Sequence, residues 1–77
     1  MPKIKVGQIY KTDRGIYVIT RIWFNFAVDK KYIDCVYEDG TTADHPMIMV
    51  EGIGELIAEY PTWQQAVNSK EFRNECI

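Results

Sequence analysis

No apolar run in this 77-residue chain approaches the roughly 20 residues that a membrane-spanning helix needs. Met1-Pro2-Lys3-Ile4-Lys5 starts positive but has no apolar stretch behind it, so a secretory leader is not expected. Cysteine is scarce. A small secreted domain commonly carries about four or six paired cysteines. Here there are two, Cys35 inside a strand-like run and Cys76 next to the end, and both read as free thiols in a reducing cytosol. Histidine occurs once, as His45, which reads as decoration of a turn before Pro46. No serine, cysteine or carboxylate stands at a spacing that suggests a nucleophile–base pair. Cys35, Asp44, His45 and Cys76 are metal-ligand types, but no C-x-x-C or H-x-x-x-H spacing joins them. Gly52-Ile53-Gly54 lacks the third glycine and the lysine of a phosphate cradle. The expectation is a protein that is not an enzyme and carries no cofactor.

What remains is ordinary globular material. Apolar residues make up 47% of the chain and charged residues 26%, with no repeat, linker or low-complexity tract, so one domain spanning 1–77 is expected. A chain of this length buries only about 60–65% of its unfolded surface, so the core must be small. Net charge is −2, unevenly spread. Residues 1–31 hold seven basic side chains against Asp13 and Asp29, giving +5; residues 32–77 hold nine acids against Lys70 and Arg73, giving −7. Such a split suggests either a basic face and an acidic one, or strands of both halves interleaved so that the charges neutralise locally.

The chain is organised around Val6–Ile22 and the run Tyr32–Glu38 that returns against it. Ile16–Ile22 is almost entirely β-branched or aromatic. Strict alternation would put Ile16, Val18, Thr20 and Ile22 on one face and Tyr17, Ile19 and Arg21 on the other. Thr12-Asp13-Arg14-Gly15 is a turn. Tyr32–Glu38 alternates, and Asp39-Gly40 predicts a two-residue hairpin turn of the I′ kind. Thr41-Thr42-Ala43 returns, Pro46 interrupts, and Met47–Val50 reads as a short apolar edge strand that a second copy could pair with. Glu55–Tyr60 has helical spacing, with Leu56, Ile57 and Tyr60 on one side. Thr62-Trp63-Gln64-Gln65 matches a capping box for a helix whose apolar face is Trp63, Ala66 and Val67, and Ser69 starts a last turn. The expected fold is mainly β (α+β): a small SH3-like antiparallel barrel of four or five strands over about 4–50, with short helices over 55–75 packed on it.

Gly7-Gln8-Ile9-Tyr10, Gly15-Ile16-Tyr17-Val18-Ile19 and Tyr37-Glu38-Asp39-Gly40-Thr41 together resemble small SH3-like (Tudor/KOW-type) proteins, many encoded by phages and prophages. The run Tyr60–Ser69 looks like the tail of short phage proteins. The resemblance covers about Val6–Val50. It implies a class of fold and a viral origin; a KOW consensus and a tidy aromatic cage are missing, so no ligand residue is carried over.

Trp23-Phe24-Asn25-Phe26 stands out, with three aromatics in four residues. Either these rings cap the open end of the barrel, or they stand in water as an anchor for a partner. Surplus aromatics, split charge and missing catalytic groups favour a cytoplasmic, non-enzymatic protein-binding module, a phage accessory factor that inhibits or redirects a host protein. Its anchor would be Trp23, Phe24 and Phe26, with Lys30 and Lys31 at the rim. A second reading is a barrel for single-stranded DNA or RNA using Lys11, Arg21 and Tyr32. A third is an acidic mimic of nucleic acid built from Glu51, Glu55, Glu59, Glu71 and Glu75.

Overall fold

The computed structural model describes residues 3–73. The β-branched and aromatic runs form strands β1 (Gln8–Thr12), β2 (Gly15–Asn25), β3 (Lys30–Tyr37) and β4 (Thr42–Pro46), and a fifth, β5 (Glu55–Glu59), follows a helix, α1 (Met47–Ile53). Two further helices, α2 (Trp63–Val67) and α3 (Lys70–Arg73), complete the order. All five strands pair antiparallel in one sheet, β4-β3-β2-β1-β5. The mainly β class with short helices at the end is as expected. The sheet is not closed, because β4 and β5 are its two edges and no ladder joins them among the described residues.

Each face of the sheet carries its own apolar cluster. On the first face Tyr10, Tyr17, Ile19, Ile33 and Cys35 pack with Ile4 and with Val50 of α1. On the second, Ile9 and Val18 pack with Ala66 of α2 and Phe72 of α3. Helices on opposite sides thus bury both faces of β1 and of the first half of β2, which explains why apolar residues occupy both faces there.

Two expected elements exchange type. Met47–Val50 is the first turn of α1, not an edge strand: Pro46 (φ −59°) is its N-cap, a position where the missing N–H costs nothing. A four-residue apolar run has no period of its own to separate strand from helix. Glu55–Tyr60 is not helical; Glu55–Glu59 is β5, held by pairing with β1 across a bulge between Ile9 and Tyr10. That pairing is non-local and overrides the local spacing.

The Asp39-Gly40 turn is tight but not of the I′ kind. Only Gly40 (φ +89°) takes the left-handed conformation; Tyr37 N–H donates to Thr41 O at 2.8 Å and Gly40 N–H to Tyr37 O at 3.0 Å. The loop is therefore three residues, Glu38-Asp39-Gly40, with glycine in the left-handed position. Thr62 caps α2 as its sequence suggests, accepting Gln65 N–H at 3.2 Å. Trp63 does not join the apolar face of α2 and remains exposed. Ser69 accepts Phe72 N–H and so starts α3.

Gly7 joins the layers. Its N–H donates to Ile19 O, its carbonyl accepts Tyr60 N–H, and its φ of +96° brings it against the Tyr60 backbone where a Cβ has no room. Beside it the buried Gln8 amide is fully used, bonded to Lys5 N, Lys3 O, Glu59 and the Tyr10 hydroxyl.

The register of β2 against β3 shifts between Ile19 and Arg21, leaving Thr20 as an extra residue. Thr20 fills the irregularity by donating its hydroxyl proton to Asp34 O. Beyond it the alternation reverses: Ile22 packs with the first-face cluster, while Arg21 lies opposite Asp34 and Trp23 opposite Tyr32. Strict alternation from Ile16 therefore assigns Ile22 to the wrong face.

Candidate functional site

The sheet does not accompany β2 to its end. β1 pairs with β2 only as far as Val18, and β4 pairs with β3 only from Tyr32 onward. The last turns of the β2–β3 ribbon, about Ile22 to Lys31, consequently project past both neighbours, consistent with a longest dimension of 43 Å against 26 and 23 Å. The loop Phe26–Asp29 closes the ribbon: Asn25 Oδ1 accepts Ala27 N–H at 3.0 Å, and Asp29 takes φ +57°, a region that aspartate tolerates.

This arm presents two different surfaces. Phe24 and Phe26 stand in solvent at 39% and 87% exposure, edge to face with ring centroids 4.9 Å apart, and Val28 is exposed beside them. Lys31 is the cross-strand partner of Phe24, Lys30 that of Asn25, and both lysines are exposed. On the other surface Trp23 is half-buried. Its indole N–H donates to Asp34 Oδ1 at 2.8 Å and its ring lies against Tyr32 at 5.3 Å. Arg21 Nε donates to Asp34 Oδ2 at 2.9 Å, with its guanidinium 5.5 Å from the Trp23 ring centre. One carboxylate thus locks an arginine and a tryptophan.

The five anchor residues expected from sequence do lie on one projecting element, but Trp23 serves as a strut while Phe24 and Phe26 face water. The residues of the nucleic-acid reading divide. Arg21 and Tyr32 share the strut surface, whereas Lys11 pairs with Ile16, five residues back along β2 and so about 16 Å away. Among the acids, Glu59 accepts from Gln8 and lies 3.9 Å from Lys5, and Glu71 accepts from the Tyr60 hydroxyl, which holds its carboxyl below the usual range. Glu51 and Glu55 are exposed; Glu75 and Cys76 lie outside the described residues.

A second feature was not anticipated. At the opposite end of β2 a groove of about 320 Å³ opens between the β1–β2 turn and α1, lined by Arg14, Tyr17, Tyr37, His45, Met49 and Ile53. Tyr37 and His45 share a 2.9 Å hydrogen bond, and Tyr17 lies 5.5 Å from the Tyr37 ring. Burial, with Cys35 adding to it, raises the Tyr37 hydroxyl pKa, and Arg14 pulls it back. These residues come from five elements, so no local motif marks the groove. Among the described residues no group of three or more His, Cys, Asp or Glu side chains is placed to hold a metal ion, and Cys35 is buried with its thiol pushed up to about 11 by desolvation.

Comparison of the chain with protein-family models, with curated proteins and with solved structures finds no match.

Proposed function

We propose that the chain is a non-enzymatic protein-binding module that grips a host protein in the cytoplasm with the tip of its β2–β3 arm, as an accessory factor of phage or prophage origin. One observation carries the reading: Phe26 is 87% exposed and seated on Phe24 in a chain whose small core has every use for such rings. Paired aromatics with a cationic rim have the composition of an interface anchor. The strand order, in which a four-strand meander is followed by a fifth strand returning to β1, supports the small SH3-like class. The test is capture from bacterial lysate by immobilised protein, read by mass spectrometry. A Phe24→Ala/Phe26→Ala double variant with an unchanged circular dichroism spectrum loses the proteins that the parent retains. Retention of the same proteins by the double variant would refute the reading.

The strut surface favours a second reading, single-stranded nucleic acid stacked on Trp23 and Tyr32 beside Arg21. Asp34 already neutralises that arginine, so this reading ranks lower. It requires labelled oligonucleotides to bind at low salt and to dissociate as salt rises.

A further inference from the structure

The true edges of the sheet are guarded. β4 is five residues long, carries Asp44 and ends in Pro46; β5 is five residues long and begins and ends in exposed glutamates. Short length, charge and proline are the devices that keep edge strands from pairing with other chains. A third edge is as short as these two but lacks proline, and its one charge points to Asp34 instead of standing free. Beyond the bulge at Thr20, the outer side of Arg21–Asn25 has no strand paired with it among the described residues. Its residues are Arg21, Ile22, Trp23, Phe24 and Asn25, rich in β-formers and without proline, and its single charge is already paired with Asp34.

We infer that this edge pairs antiparallel with the same edge of a second copy, about a two-fold axis at Trp23. A second copy fits because the segment is complementary to itself in that register. Trp23 faces Trp23 of the other copy, Ile22 faces Phe24, and Arg21 faces Asn25, so apolar residues oppose apolar ones on the first face and no like charges oppose each other on the second. Each Trp23 already lies against Tyr32, so the second face gains a row of four rings, Tyr32-Trp23-Trp23-Tyr32, across the junction. The two five-stranded sheets become one of ten strands, and the two phenylalanine tips emerge side by side on the opposite face. A shift of one residue would bring apolar and polar faces together, and a shift of two would move the axis to Ile22 or Phe24 and separate the two Trp23 rings. This inference goes beyond the proposed function: it uses the backbone edge of the arm, whereas host capture uses the Phe26 tip.

The test is sedimentation velocity over a concentration series of the full chain, with circular dichroism confirming the fold of each variant. The parent forms a dimer. Asn25→Arg sets arginine opposite Arg21 twice per dimer and weakens it about tenfold, while Asn25→Asp keeps the turn acceptor and tightens it several-fold. Phe24→Lys places a charge against Ile22 and also dissociates it. A parent that stays monomeric at millimolar concentration overturns the inference, and so does a dimer indifferent to both Asn25 substitutions. Capture lost from a Phe26→Ala dimer leaves the pairing standing; a monomer that still captures its partner leaves only the proposed function.

Discussion

The half of the β2–β3 ribbon beside β1 and the half beyond it are built from the same kinds of residue, yet they end in opposite conditions. Tyr17, Val18 and Ile19 are 2%, 0% and 0% exposed; Phe24 and Phe26, a few residues along the same ribbon, are 39% and 87% exposed. Composition does not separate them. What separates them is cover: the near half lies between α1 and the α2–α3 pair, whereas the far half outruns every neighbour. An apolar side chain left bare by a fold with helices on both faces contributes little to that fold.

The sharpest way to break this comparison is to truncate a side chain in the covered half. Ile33 is fully buried among Ile19, Ile22 and Val50. Ile33→Ala removes buried methylenes and leaves a cavity, and about 3–4 kcal/mol of stability should be lost in urea titration. A loss below about 1 kcal/mol would mean that the covered half is no more a core than the arm is.

How much of this division was legible in the sequence follows from the range of the forces involved. The strand character of β1, β2 and β3, the Thr62 cap and the Ser69 start are legible in adjacent residues, though the face that Ile22 takes on β2 is not. β5 was not, because Glu55–Glu59 becomes a strand only through the free edge of β1, more than forty residues earlier. Likewise the bulge at Thr20 exists to bring Asp34 under Arg21 and Trp23, a match between two strands that neither reveals alone. The aromatic tip was legible as a cluster of unusual residues, but Trp23 as a strut required Asp34 in place. The groove at Tyr17 and Tyr37 draws on five elements and had no local signal at all.

A smaller effect sharpens the comparison through pH. Cys35 sits on the covered first face, where desolvation first, then the nearby Asp34 and Asp44 carboxylates, raise its thiol from 9.0 to about 11. A folded pKa above the unfolded one means that stability is complete below pH 9.0 and is lost as pH climbs towards 11. Two units correspond to at most about 2–3 kcal/mol. Tyr10, Tyr17 and Tyr37 are raised by burial too and act in the same direction. Urea titrations across this alkaline range should therefore show falling stability in the parent and a shallower fall in Cys35→Ala, the difference being the share of the thiol. At pH 8 the folded parent should resist a thiol reagent that labels it in urea. Equal labelling rates in both conditions would place Cys35 at the surface and remove it from the core.

The smallest expected effect bears most directly on what the arm is for. Phe26 is 87% exposed and lies against Phe24, itself exposed, and the turn beneath it is held by the Asn25 side chain and the left-handed backbone of Asp29. Phe26→Ala should then change the unfolding free energy read by urea titration by no more than about 0.5 kcal/mol in either direction, the range of an exposed substitution. The same change in an interface anchor costs about 2 kcal/mol or more of binding. A ring that matters to a partner and not to the fold shows the second without the first. If Phe26→Ala instead unfolds the chain, the ring is serving the core from outside the sheet, and the distinction between the two halves of the ribbon fails at its most exposed residue.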